Sequence, residues 1–402
     1  MIIFVAAVGG GMEINMKNIK LLNKIAAVGT DQLDKNKYNV GADVESPDAI
    51  MVRSAAMHDM TFDSNMLAIA RCGAGVNNIP VDRCAEEGIV VFNTPGANAN
   101  GVKELTICAL MLASRKIIPG AEWVKTLKGT EGVAKAVEAG KSQFGGCEIK
   151  GKTLGVVGLG AIGGMVANAA THLGMDVVGC DPYLTVEAAW NLSRNVHKAA
   201  SYDEIFATCD YITLHVPATP QTKGMINAAS LATMKDGVRI INLARGDLVN
   251  SDDIIAALES GKVAAYVTDF PDEKLIGVPG VVAIPHLGAS TEESEDNCAV
   301  MAAKQLDEYL TNGNVVNSVN YPAVSMPHNG DVRVCVLHAN VPSIISQITT
   351  ALSDQSINIE NMINKSKGDN AYTMAEINGA VPAATVEKIA AIDGVRRVRV
   401  IQ

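Results

Sequence analysis

A glycine-rich hexapeptide set between a short apolar run and a helical pattern constrains this chain more than any other feature. Leu154-Gly155-Val156-Val157 leads into Gly158-Leu159-Gly160-Ala161-Ile162-Gly163, and a second apolar run, Met175-Asp176-Val177-Val178-Gly179-Cys180, ends at Asp181. The first glycine permits a tight turn, the second admits a pyrophosphate against N–H groups at a helix start, and the third lets the helix pack on the strand. A carboxylate closing the next strand suits the hydroxyls of an adenosine ribose, whereas a 2′-phosphate would meet a like charge there. The segment therefore predicts a dinucleotide site that prefers NAD to NADP. With 36 glycines in the chain, the hexapeptide alone carries little weight. Strand before, helix after and carboxylate at the right distance supply it.

The remaining length needs further domains. A chain of 402 residues, 48% hydrophobic and 19% charged, has the composition of a globular protein of two or three domains. A net charge of −10 argues against a nucleic-acid partner, which needs a concentrated positive surface. The eight cysteines are scattered without a Cys-x-x-Cys pair, which suits reduced thiols in a cytoplasm. No His, Cys and Asp spacing resembles a metal site. No apolar run approaches the ~20 residues of a membrane span, so no membrane partner is expected. Met1 to Val8 is apolar but lacks a basic leading region and runs into Gly9-Gly10-Gly11, which speaks against a secretory signal. Met12 and Met16 offer alternative starts.

Short apolar runs at Ala49 to Val52, Met66 to Ala70 and Ile89 to Phe92 predict a first α/β region. It ends at the turn formers Asn93-Thr94-Pro95-Gly96-Ala97-Asn98, and Glu104 to Ser114 follows as a helix. Strands are then expected at 156–158, 177–181, 211–216, 239–243, 263–267 and 281–284. In a doubly wound sheet, ligands gather at the carboxyl ends of parallel strands, here Leu159, Asp181, Pro217, Arg245, Asp269 and His286. A long helix, 292–312, is expected to return to the first domain, and a Pro-bearing stretch, Tyr321 to Asp331, reads as a linker. The remainder shows the order βαββαβ of a ferredoxin-like module. The expectation is two Rossmann-like doubly wound α/β domains, 1–98 completed by 289–320 and 99–288, a linker at 321–330, and a small third domain at 331–402.

The strand ends carry the chemistry. Oxidising a secondary alcohol requires a base for the hydroxyl proton as hydride leaves for a nicotinamide, and imidazole suits that role near neutrality. His286 is the candidate. A carboxylate beside it would fix its tautomer, with Glu273 favoured and Asp272 as rival. Arg245, in Asn242-Leu243-Ala244-Arg245-Gly246, carries a planar fork suited to clamping a substrate carboxylate. His58, His172, His197 and His328 lack an acidic partner in any recognisable pattern, and His215 reads as lining the cofactor site without reacting.

These segments, with Arg71-Cys72-Gly73-Ala74-Gly75-Val76-Asn77-Asn78, Pro285-His286-Leu287-Gly288-Ala289-Ser290-Thr291 and Asn317-Ser318-Val319-Asn320, make the chain resemble the D-isomer-specific 2-hydroxyacid dehydrogenases carrying a C-terminal ACT regulatory domain. The resemblance covers nearly everything after residue 16. It implies oxidation of 3-phospho-D-glycerate to 3-phosphooxypyruvate with NAD, the first step of serine synthesis. Catalytic roles are implied for Arg245, Glu273 and His286. It implies that Gly158, Gly160, Ala161, Ile162, Gly163, Asp181, Pro217, Leu243, Ala244, Arg245, Asp269, His286, Leu287 and Gly288 bind NAD. Arg53, Ser54, Gly73, Ala74, Gly75, Val76 and Asn77 are implied to bind substrate.

In the ACT-like region, His338-Ala339-Asn340-Val341-Pro342 and Ile357-Asn358-Ile359 resemble a serine site, implying His338, Asn340 and Asn358 as effector-binding residues and feedback control by L-serine. Homodimers or homotetramers are implied as well. Three departures stand out. Asp269-Phe270-Pro271-Asp272-Glu273 is one residue shorter than the Asp-x-Phe-x-x-Glu of many members, Ala55 replaces a basic residue of some relatives, and Ser343 stands where several have glycine. A hydroxypyruvate or glyoxylate reductase on the same scaffold and a nonenzymatic NADH-sensing module are the alternative readings.

Overall fold

The run Thr153–Val157 is apolar at successive rather than alternate positions, the pattern of a strand covered on both faces, and in the computed structural model four of its five residues are buried. The structure describes residues 3–4, 16–329 and 332–402. The Gly9-Gly10-Gly11 turn and most of the apolar leader lie outside the described residues, as do Met12 and the last two residues of the expected linker. Among the described residues no helix is long and apolar enough to cross a membrane.

The chain divides into two compact units, one of residues up to Ala97 with Glu295–Gln402 and one of Asn98–Ser294. The second unit holds a seven-stranded, wholly parallel sheet. Its spatial order is Val281–Ala283, Val263–Thr268, Val238–Asn242, Tyr211–Leu214, Thr153–Val157, Asp176–Cys180 and Val196–Lys198. The winding reverses between Thr153–Val157 and Tyr211–Leu214, which pair with Val157 opposite Leu214. That reversal opens a crevice at the strand ends, so the glycine loop and the His215-Val216-Pro217 turn emerge side by side. The short strand Val196–Lys198 was not expected from sequence. Nor were the helices Ile117–Thr126 and Val133–Gly140, neither of which buries a residue.

In the first unit, Tyr38–Gly41, Lys17–Leu22, Ala49–Val52, Ala68–Arg71 and Val90–Phe92 form a five-stranded parallel sheet in that order. A second sheet holds Val332–Ala339, Ile359–Lys367, Asn370–Ile377 and Val395–Ile401, antiparallel to one another, with Ile3–Phe4 added parallel to the last. The helices Ile344–Ser353 and Ala383–Ala390 complete the βαββαβ order and cover one face through Val334, Val336, Ile348, Val386 and Ile389.

The other face of that sheet is not open. Cys335, Leu337, Tyr372 and Met374 share a core with Leu306, Tyr309 and Leu310 of the helix Glu292–Asn312 and with Phe92. The C-terminal module, read from sequence as a separate small unit, is thus built into the first unit. The expected linker joins it there, with Tyr321, Val324 and Met326 buried.

Candidate active site

The nucleotide loop is held by its own backbone demands. Gly158 has φ of +90°, and a Cβ on it would lie 2.7 Å from the His215 carbonyl oxygen. A Cβ on Gly163 would fall 1.9 Å from the Gly158 carbonyl oxygen, whereas one on Gly160 would meet nothing within 4 Å. The first and third glycines are therefore demanded by packing, and the second leaves the backbone uncovered at the start of the helix Ala161–His172, where a pyrophosphate fits. Asp181 accepts hydrogen bonds from the Leu159 N–H (2.9 Å) and the Tyr183 N–H (2.9 Å), fixing its carboxylate beside the loop with lone pairs to spare for ribose hydroxyls. Beneath the loop, burial pushes the His215 imidazole down to about 4, and its Nε2 pairs with Thr213 Oγ1 at 3.0 Å. His215 is a neutral structural group.

Three further strand ends of the same unit meet electrostatically. Asp269 follows Val263–Thr268 and is 2% exposed. Burial pushes its carboxyl above the ordinary value, while the charges of His286 and Arg245 and the main-chain N–H groups of Asp269 itself and Gly288 pull the other way. That buried carboxylate suits the N–H groups of a nicotinamide carboxamide. His286 is exposed and packs against Phe270 as a tilted ring pair, centroids 4.5 Å apart at 48°. Arg245 is exposed, its main-chain N–H held by Asn242 Oδ1 at 3.3 Å, and one guanidinium N–H is donated to the Ala244 carbonyl at 2.6 Å.

Of the rival acids, Asp272 is committed, accepting from Ser251 Oγ at 2.6 Å and the Leu275 N–H at 3.1 Å. Glu273 is exposed, and no hydrogen bond or ion pair to it is found among the described residues.

In the first unit the expected substrate residues are gathered by two asparagines. Asn23, with φ of 76°, accepts through Oδ1 from the amides of Arg53, Ser54 and Ala55. Asn78 donates through Nδ2 to the Arg53 and Ala55 carbonyls at 3.3 and 2.8 Å. Arg53 pairs with Glu295 at 2.6 Å.

Arg71, the first residue of the quoted glycine segment, was not among the expected contact residues. Its guanidinium lies over Gly73, where a Cβ would fall 1.1 Å from Nη1. It donates to the Cys72 carbonyl at 3.1 Å, leaves Nε unpartnered, and is held below its ordinary pKa by burial, with Arg53 adding to the shift. It ends the strand Ala68–Arg71, so the strand-end rule applied to the other sheet was the signal that would have found it.

In the C-terminal module, His338 is 2% exposed, and both ring nitrogens are engaged, by the Ala339 carbonyl (2.7 Å) and Thr373 Oγ1 (2.9 Å). A carboxylate would have to displace one of them. Asn340 and Asn358 are exposed and bond to the Gly368 carbonyl and Glu360.

Comparison with known proteins agrees with this geometry. Residues 107–288 match the family model described as D-isomer specific 2-hydroxyacid dehydrogenase, NAD binding domain. The chain is 33% identical over 339 residues to D-3-phosphoglycerate dehydrogenase 2 of Saccharomyces cerevisiae, covering 78% of this chain and 68% of the yeast protein. It is 31% identical over 406 residues to D-3-phosphoglycerate dehydrogenase of Synechocystis, covering 97% and 71%. A crystal structure of NAD+-bound 3-phosphoglycerate dehydrogenase from Entamoeba histolytica superposes with a TM-score of 0.58 at 27% identity, covering 76% of this chain and 99% of that one. Taken with the loop, its carboxylate and the three strand ends, these matches place the chain in the family of D-isomer-specific 2-hydroxyacid dehydrogenases, with NAD as its cofactor.

Proposed function

We propose that the chain oxidises 3-phospho-D-glycerate to 3-phosphooxypyruvate, the entry step to serine. The observation that carries the reading is the placement of Arg245, Asp269 and His286 just beyond three neighbouring strands of one parallel sheet. Bound NAD supplies the hydride acceptor. His286 takes the hydroxyl proton as the carbinol C–H bond breaks and the carbonyl forms, and returns it in the reverse direction. Arg245 clamps the substrate carboxylate with its planar fork. Asp269 takes the carboxamide end of the nicotinamide. Glu273, the uncommitted acid of its loop, is assigned to orient the imidazole.

Arg53 and Arg71 are assigned to the substrate's anionic groups, with the amides of Gly73 to Asn77. The Arg71 guanidinium is held partly buried without a carboxylate partner, which is costly unless a ligand anion joins it, and this favours a substrate with a phosphate beside its carboxylate over hydroxypyruvate. Turnover of the two substrates tests the reading. A higher kcat/KM for hydroxypyruvate than for the phosphorylated keto acid overturns it.

The exposed Ile117, Ile118, Val124 and Val133 on helices that bury nothing form the surface assigned to a second copy of the chain. Light scattering on the wild type and on Ile118→Asp tests it, and a wild-type monomer at every concentration ends it. Serine is assigned to Asn340 and Asn358 as a feedback effector. The eight free cysteines suit a reducing cytoplasm.

A further inference from the structure

The last strand of the C-terminal module is unusual for what its arginines hold. Val395–Ile401 carries Arg396, Arg397 and Arg399, and among the described residues none of the three makes a salt bridge. Each donates to main-chain carbonyls of the first unit, and Arg396 also to Asn370 Oδ1 and the Tyr321 hydroxyl. Arg396 reaches the Ala85 carbonyl at 3.0 Å. Arg397 reaches those of Ser64 at 3.1 Å and Glu87 at 3.0 Å. Ala85 and Glu87 lie at the C-terminal end of the helix Val81–Glu86, where the arginines add to the hydrogen bonds that the Ala85 carbonyl already accepts from the Gly88 N–H and the Tyr321 hydroxyl. Gly88 follows with φ of +66°, and a Cβ there would lie 2.8 Å from the Arg397 Cβ, so glycine both ends the helix and admits the arginine.

The same helix reaches the substrate-binding elements from its other side. Arg83 donates to the carbonyls of Met60 (2.6 Å) and His58 (3.2 Å). The His58 Nε2–H in turn donates to the Asn77 carbonyl at 3.0 Å, and Asn78 holds the Arg53 carbonyl. At its start the last strand is tied to the Asn340 loop, because Gly394 accepts from the Ala339 N–H at 2.8 Å. Every link is a hydrogen bond within one compact unit.

We propose that Arg396 and Arg397 are positioning residues for the substrate-binding loop, acting through the helix Val81–Glu86. The module is therefore a fixed brace on substrate binding. The proposal rests on the reading of Arg53 and Gly73 to Asn77 as the substrate-binding elements.

The test compares full-length wild type with Arg396→Lys, Arg397→Lys and Arg399→Lys. The last arginine holds the Tyr309 and Leu310 carbonyls at the end of a different helix and serves as the control. A charged hydrogen bond is worth enough that KM for 3-phospho-D-glycerate should rise roughly tenfold in the first two variants. Their kcat and NADH affinity should stay at wild-type values, and Arg399→Lys should lower only the melting temperature. Hydrogen exchange gives an activity-independent readout, with amides 73–79 exchanging faster in Arg397→Lys than in wild type. Unchanged exchange at 73–79, or an equal KM rise in Arg399→Lys, overturns the proposal. Failure of the wild type to oxidise phosphoglycerate ends the proposed function instead, and the exchange result still decides whether the brace exists.

Discussion

Phe270 and His286 pack with ring centroids 4.5 Å apart and ring planes tilted at 48°, which restrains the imidazole by packing. The residue assigned to move the proton is thus held against an aromatic face at the mouth of its strand. His286→Ala should lower kcat about a hundredfold or more, the usual worth of a positioned acid and base, while NADH binding measured by fluorescence changes little. Phe270→Ala should lower kcat less, and Phe270→Tyr should restore it, because the ring contact does the orienting.

Asp269 makes a pH prediction with a definite sign. A carboxyl raised by burial stabilises the fold in its protonated form. That contribution is complete below its ordinary value of 3.8 and is lost as pH rises through the raised value. Asp269→Asn removes a buried charge whose desolvation outweighs the groups that favour it, so at neutral pH the variant should melt above wild type and still lose NADH affinity. The difference in melting temperature should shrink as pH falls toward the ordinary carboxyl range. A variant melting below wild type at neutral pH contradicts the assignment.

The acids of the 269–273 loop separate by substitution. Asp272→Asn breaks a bond to Ser251 and should cost stability with little effect on the pH profile of kcat/KM. Glu273→Gln should shift the limb of that profile assigned to His286. Equal profiles for Glu273→Gln and wild type would remove Glu273 from the mechanism.

Ser343 sits at φ of 70°, a left-handed conformation that favours glycine, at the N-terminal boundary of the helix Ile344–Ser353. Ser343→Gly should relieve about 1 kcal/mol of backbone strain, seen as a higher denaturant midpoint. A lower midpoint would mean that the Ser343 side chain is worth more than the strain.

Much of the second unit was legible because its signals are local. Glycines at 158, 160 and 163 meet backbone demands within a few residues, and the apolar runs around them are continuous because both faces of the sheet are covered. The strand ends bearing Asp269 and His286 followed from the same rule. Three features were not legible, each for a physical reason. The helices Ile117–Thr126 and Val133–Gly140 bury nothing, so no inward-facing stripe marks them. Arg71 looks like an ordinary charged strand end until it is seen to make no ion pair among the described residues. Arg396, Arg397 and Arg399 are interspersed with valines as in a solvated strand edge, yet they are partly to fully buried against carbonyls, a complement that no sequence pattern encodes.

The most direct measurement is the initial rate of NADH oxidation by purified wild type and His286→Ala, with 3-phosphooxypyruvate and with hydroxypyruvate as alternative acceptors. The account predicts rapid oxidation with the phosphorylated acceptor, a kcat/KM lower by about tenfold or more with hydroxypyruvate, the worth of one charged contact, and near-complete loss of both in the variant. Preference for hydroxypyruvate, or a variant as fast as wild type, would contradict it.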